Sequence, residues 1–349
     1  MLGRSIIDLP SHLTCEATMT DEHRESIGRR GIVSTPTDGA HPGVLDRHYA
    51  EETSETVYGN SLDLIKQLID EGTNLQVRAL VSSPREIPDV VLLGVLFRHS
   101  LQLLDSVEIL LRRGQAQGAR IVLRALLEAS WGIEWMLKAD TERRAKQFYV
   151  LDIRERIELN ESYVPGTKAF ESMKVDLPIE QQRELGIDKE AAVVSRANIK
   201  KNREHLNEYP DLKLIDDEIS RQDRRIGLLR WFTLFKGPRD YPDLARKLGH
   251  GDEYRLVYRS LNDAVHGSNI QSHISVETQG VAMIPAIRGL EEFRNVLEFT
   301  WIAGFRITEM MIEHYRPGEM QSFLLRFFPG GKARWNLPNV EFHREMNML

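Results

Sequence analysis

The sequence predicts an all-α protein, an elaborated helical bundle. Two observations carry that prediction. From residue 61 onward, apolar residues recur at helical spacing through several long segments. Against these stands one strand-like piece, "IQSHISVETQGVAMIPAI" (270–287), two short alternating runs around Gln-Gly. Helices packed on helices are then the natural architecture.

In chain order, residues 1–57 are polar, with scattered Gly, Pro and Thr, and read as a loosely ordered arm. The bundle domain is expected over 58–316, and residues 317–349 form an extension with no clear period. "DVVLLGVLFRHSLQLLDSVEILLRRG" (89–114) reads as a long helix stopped by Gly114, with Arg112 and Arg113 well placed in its last turn. "QAQGARIVLRALLEASWGIEWMLKAD" follows almost at once, so the two pair as an antiparallel hairpin. Its residues 121–137 form the most apolar segment of the chain by inspection. Arg124, Glu128 and Glu134 interrupt it, which marks a core helix rather than a membrane span.

"TERRAKQFYVLDIRERIELNESY" opens on Thr141 as a candidate N-cap. Residues 165–240 form a charged insertion, with 189–226 read as an exposed helical hairpin. "FKGPRDYPD" is a break, a short helix covers 241–249, and Gly249 and Gly251 lead into "YRLVYRSLNDAVHGSN" (254–269). A last long helix, 287–315, ends before Pro317.

Composition narrows the function classes. Hydrophobic residues make up 41% and charged residues 28%, an ordinary soluble balance. The net charge of −6 argues against a broad, sequence-blind nucleic-acid binder but leaves room for a local basic cleft. Cys15 is the single cysteine, so no intrachain disulfide and no Cys-rich zinc module can form. With no apolar signal segment at the start, a reducing cytoplasm is the expected compartment and no membrane partner is expected.

The chemistry-bearing stretch is 254–269. At 100° per residue, Arg259 and His266 point the same way, about 10 Å apart along the helix, with Arg255 and Asn262 on the same stripe. Tyr254, Val257, Tyr258, Leu261, Ala264 and Val265 make the opposite, apolar face. Any surface helix shows such a stripe, and periodicity alone favours a solvated face. The chemical reading is cleavage of RNA. Histidine moves protons near neutrality, and arginine offers a permanent fork of donors to phosphate oxygens. One helix supplies one such set; a homodimer facing two of these helices across its axis supplies two.

Arginine, six residues, then histidine resembles the R-x(4–6)-H signature of HEPN domains, helical bundles found in many toxin and antiviral ribonucleases, usually dimeric. "YRSLNDAVHGS", "RALLEASWGIEWML" and "RRAKQFYVLDIRERIEL" together resemble a bacterial family of unknown function, over roughly 88–316. In that family a serine is expected where Asn262 stands. The HEPN resemblance implies Arg259 and His266 as catalytic residues and Asn262 as the intervening polar residue. It implies RNA as substrate, metal-independent cleavage by 2′-hydroxyl attack, no cofactor, and a protein partner or antitoxin. Arg255 would widen the phosphate contact.

Arg124 and Glu128, at i, i+4, read either as a structural ion pair or as supports that orient His266 from the neighbouring helix. His266 and His273 as shared metal ligands lack an obviously spaced carboxylate. A helix-turn-helix reading of Ala245 and Gly249 places His250 and Arg255 where buried residues belong, a poor match. The rival to the enzyme is a non-catalytic helical sensor or scaffold that binds a protein or nucleic acid through the same stripe.

Overall fold

The computed structural model describes residues 44–175, 181, 189–222, 229–266, 275–276, 282–283 and 286–329; for Val265 and His266 it describes the backbone alone. These residues form an all-α fold.

Four long helices make the bundle. Helix α1 (Arg47–Ser82) starts where Asp46 accepts a hydrogen bond from the Tyr49 amide at 2.9 Å. Its buried positions Tyr58, Leu62, Ile65, Leu68, Gly72, Leu75 and Ala79 recur every three or four residues and give it one continuous apolar stripe. The bundle therefore begins near residue 47 rather than 58. Ala50 and Ser54 are already buried, and Ser54 donates to the Leu111 carbonyl at 2.8 Å.

Helix α2 (Ile87–Arg112) contains a π-helical stretch, Val90–Phe97, and the Gln76 amide donates to the Leu93 carbonyl within it at 2.7 Å. Among the described residues α2 is the one helix long and apolar enough by composition to cross a membrane, so it, rather than 121–137, is the most apolar segment. In this fold Leu92, Leu93, Phe97 and Leu104 are fully buried within the bundle. The helix ends as expected. Gly114 takes a left-handed φ of 68°, and a Cβ there would lie 2.8 Å from that of Ala50, so glycine is required on two counts. Arg112 ties the end of α2 to α1, with Glu108, Glu55 and Asp63 at 2.6, 2.7 and 3.0 Å.

Helix α3 (Ala116–Lys138) returns beside α2, and α10 (Phe293–Tyr315) packs on α1, α2 and α3 to close the bundle. Gly304 lets α10 approach α1 and α2, since a Cβ there would meet Leu104 at 2.7 Å and Leu68 at 3.1 Å. Helix α10 starts at Phe293 rather than 287. The preceding residues instead form bends and a turn beside the α2–α3 turn, where the Gly289 amide donates to the Gly114 carbonyl at 3.1 Å.

Helix α4 (Thr141–Glu161) begins one residue earlier than a Thr141 cap implies. Asp140 occupies the cap position, with φ 50° and no side-chain capping bond, and Thr141 is the first helical residue. After the short α5 (Lys168–Val175), the charged hairpin of α6 (Lys189–Glu208) and α7 (Pro210–Arg221) is docked rather than projecting. Ile199, Leu206, Leu212, Ile215 and Ile219 are buried, and both helices pack on α4. The charges face outward, which is why composition alone suggested an exposed hairpin.

A turn at Trp231–Lys236 leads to α8 (Tyr241–Leu248), closed by Gly249 at φ 91°. Helix α9 runs through Gly251–Glu253, a π turn at Tyr254–Tyr258, and a regular α segment, Arg259–His266. The strand-like piece forms two antiparallel strands, β1 (Ser275–Val276) and β2 (Ala282–Met283), paired Ser275 to Met283 and Val276 to Ala282. The intervening Gln-Gly, and His273, lie outside the described residues. Past Tyr315, α11 (Met320–Phe327) packs on α10 and buries Phe323 and Phe327, so the C-terminal extension starts as part of the core.

Candidate functional site

Helix α9 lies on α3 and presents two different surfaces. Its buried side carries Val257, Tyr258 and Leu261, with Tyr254 and Ala264 half-buried, as the apolar pattern anticipated; Val265 is outside the described side chains. Tyr258 and Tyr254 stack at 5.2 Å, and both rings lie against the fully buried Trp131. Buried Arg120 of α3 donates to the Ser260 carbonyl at 2.8 Å. That carbonyl lies just past the π turn, where the hydrogen-bond ladder changes register.

Arg124 and Glu128 work at this contact. The Tyr258 hydroxyl donates to Glu128 at 2.5 Å and accepts from Arg124 Nε at 3.1 Å, while the two charges stand 3.4 Å apart. Burial, then the bond to the Glu128 carboxylate, pushes the Tyr258 phenol up to about 12. Burial and the charge of Glu128 raise the Tyr241 phenol as well. The pair thus holds Tyr258, on the packed side of α9, and touches neither Arg259 nor Asn262 among the described residues.

The outward side carries the sequence-predicted stripe. Arg259, Asn262 and His266 belong to the same regular α segment, so the spacing argument holds for them. Arg259 is exposed and makes no ion pair or hydrogen bond among the described residues. Asn262 is half-buried, and its Oδ1 is buried with no partner. The His266 side chain lies outside the described residues. Arg255 is exposed in the π turn, and its guanidinium is paired with Asp252.

A second constellation, at the N-terminal end of α9, was not singled out from the sequence. Glu253 accepts from Arg306 of α10 at 2.7 and 3.1 Å and from the Trp131 indole of α3 at 2.9 Å. His250 Nε2 stands 2.6 Å from Glu134 Oε2 and 3.0 Å from the Arg306 guanidinium. Burial opposes ionisation of Glu253, but the hydrogen bond and charge of Arg306 outweigh it, so its carboxyl lies below the usual 4.5. Signals existed in the sequence. Glu134 interrupts an apolar helix, Arg306 interrupts "WIAGFRITEMM", and His250 occupied a position where a buried residue was expected. Among the described residues, no three His, Cys, Asp or Glu side chains are grouped to hold a metal ion.

His250, Glu253 and Arg306 of this cluster form the polar end of a groove of about 590 Å³ between α9, α10 and the residue after α11. Leu256, Val257, Phe299, Ile302, Phe305 and Phe328 supply its apolar walls, and Leu256 is 77% exposed.

Residues 90–281, more than half the chain, match the model of a family of unknown function, DUF5677. The chain belongs to that family. The DUF5677 region takes in α2 through α9 and the first strand, and thus both the Tyr258 contact and the Arg259 stripe. It excludes α1, α10 and α11, so Arg306 and most of the groove lie outside it. No curated protein and no solved structure matches the chain.

Proposed function

We propose that this DUF5677 protein is a HEPN-like, metal-independent endoribonuclease that acts as a homodimer in a toxin or antiviral-defence setting. The observation that carries the reading is the state of Arg259. It is an exposed guanidinium with no carboxylate partner among the described residues, on the regular α segment that ends at His266. A free fork of donors is what a phosphate needs.

In this scheme His266 of one copy removes the proton of the 2′-hydroxyl, whose oxygen attacks the adjacent phosphorus. The 5′-oxygen leaves and takes a proton from the second copy's histidine. Arg259 stabilises the charge that builds on the phosphoryl oxygens. Asn262, between Arg259 and His266 on the same segment, positions the substrate. Arg255 would join the phosphate contacts by exchanging Asp252 for the anion.

The test is cleavage of total RNA by purified protein and by the Arg259→Ala and His266→Ala variants. Each variant should lose cleavage, while Arg259→Ala, which trims an exposed residue, shifts stability by less than about 0.5 kcal/mol. Cleavage should persist in EDTA and leave 2′,3′-cyclic phosphate ends. The protein should be dimeric, with α9 in an interface above ~1,000 Å². A folded wild-type protein inactive alone and with its native trigger, or a strict monomer at micromolar concentration, would overturn the reading in favour of a non-catalytic binding protein.

A further inference from the structure

The groove between α9 and α10 has an exposed apolar rim and aromatic walls, and the chain itself runs up to it. Phe328 is one of its walls, and Pro329 is the last described residue. Whatever follows must start at the groove's edge. Residues 330–349, "GGKARWNLPNVEFHREMNML", lie outside the described structure. Gly330 and Gly331 supply the freedom to turn back, since glycine populates left- and right-handed backbone alike. At about 3.3 Å per residue, the six residues from Gly330 to Trp335 reach roughly 20 Å, enough to return along a groove of this size.

The large apolar residues between the glycines and the final Met346, Met348 and Leu349 are Trp335, Leu337, Val340 and Phe342. Their spacing of two, three and two does not make a helical stripe, and Pro338 blocks an internal helix hydrogen bond. It suits an extended segment with side chains falling alternately into a trough, the mode by which aromatic-lined grooves take extended, proline-containing peptides. The volume falls in the range of formed binding pockets, which are mostly apolar with a few polar groups at one end. Here His250, Glu253 and Arg306 supply that end.

We infer that the α9–α10 groove is the docking site of the chain's own C-terminal segment, with Trp335 and Leu337 seated between Leu256, Ile302, Phe305 and Phe328. Docking covers Leu256, which is otherwise a large apolar side chain left in water one turn before Arg259. It stands independently of the ribonuclease reading, because it rests on the groove and the point where the chain leaves it.

Disulfide trapping in the full-length chain tests it. In a Cys15→Ser background, Leu256→Cys is combined in turn with Trp335→Cys, Leu337→Cys, Val340→Cys or Phe342→Cys, and oxidised gently. Ile302→Cys serves as a second reporter in the groove, should Leu256→Cys fold poorly. The control replaces the groove cysteine with Ile109→Cys, an exposed position on α2. The expected result is an intrachain cross-link, in monomer-sized protein on non-reducing gels, that exceeds the control at least ten-fold at Trp335 or Leu337. Cross-links only between two chains would assign the groove to a second copy, and no excess over the control would leave the segment elsewhere; either overturns the inference.

Discussion

Replacing Glu253 with Gln probes the polar contact that joins α9 to α3 and α10. The substitution keeps the shape of the side chain and removes its charge. In the native protein one carboxylate oxygen accepts from Arg306 at 2.7 Å, and the other accepts from Arg306 at 3.1 Å and Trp131 at 2.9 Å. Both oxygens therefore face donors, so the amide NH2 of glutamine must point at one of them. The variant loses a bidentate ion pair and leaves the Arg306 guanidinium, 17% exposed, without its carboxylate. Breaking a buried pair costs about 3–5 kcal/mol; the residual exposure of both partners puts this one at the lower end, about 3 kcal/mol.

The pH dependence follows from the direction of the Glu253 shift. Its folded pKa is below the ordinary 4.5 of a glutamate, so below that value the unfolded chain binds more protons. The stabilisation is fully present above pH 4.5 and is lost as pH falls through the lowered folded value. The difference between wild type and variant should then be largest near neutrality and shrink below pH 4.5. Urea unfolding followed by tryptophan fluorescence, in a pH series, measures both quantities, with Trp131 in direct contact with the substituted residue. A difference under about 0.5 kcal/mol at pH 7, the size expected of an ordinary surface change, would refute the argument, as would one that does not change with pH.

Tyr258→Phe removes the hydroxyl that joins Arg124 to Glu128 and should cost about 1.5–3 kcal/mol in the same unfolding assay, the worth of hydrogen bonds to charged groups. Gly304→Ala places a methyl 2.7 Å from Leu104 and should lower stability by about 1–3 kcal/mol through overpacking, read as a fall in Tm. Gly94→Ala is its counterpart, because nothing lies within 4 Å of a Cβ there. It should leave Tm unchanged or raise it, since alanine in a helix is favoured over glycine by up to about 1 kcal/mol.

What was legible in the sequence was local. The hairpin of α2 and α3 followed from periodicity and a stop at Gly114, and the extended pair from alternation around Gln-Gly. The 36-residue α1 was only half seen, because its first turns are polar on three sides and bury small residues, Ala50 and Ser54, that carry little periodic signal. The docked α6–α7 hairpin was misread for a related reason. Its outward charges dominate composition, while isolated Ile and Leu residues do the packing. The π turn at Tyr254–Tyr258 has no marker in residue type, so a uniform 100° projection along 254–266 did not anticipate it.

The polar cluster could not be read from any one segment, since Glu134, His250, Glu253 and Arg306 come together only when α3, α10 and the start of α9 pack. Its position matters for the proposed chemistry. Glu253 holds one end of α9 to α3 and α10, Tyr258 holds its middle through Arg124 and Glu128, and Arg120 takes the Ser260 carbonyl. Every one of these bonds is made on the packed side of the helix. The outward side has Arg259 without a partner and Asn262 with an unpaired oxygen among the described residues. A helix held so firmly on one face does not need the other for its stability. If that face carries the proposed chemistry, substitutions there should separate function from folding, as substitutions at Glu253 or Tyr258 cannot.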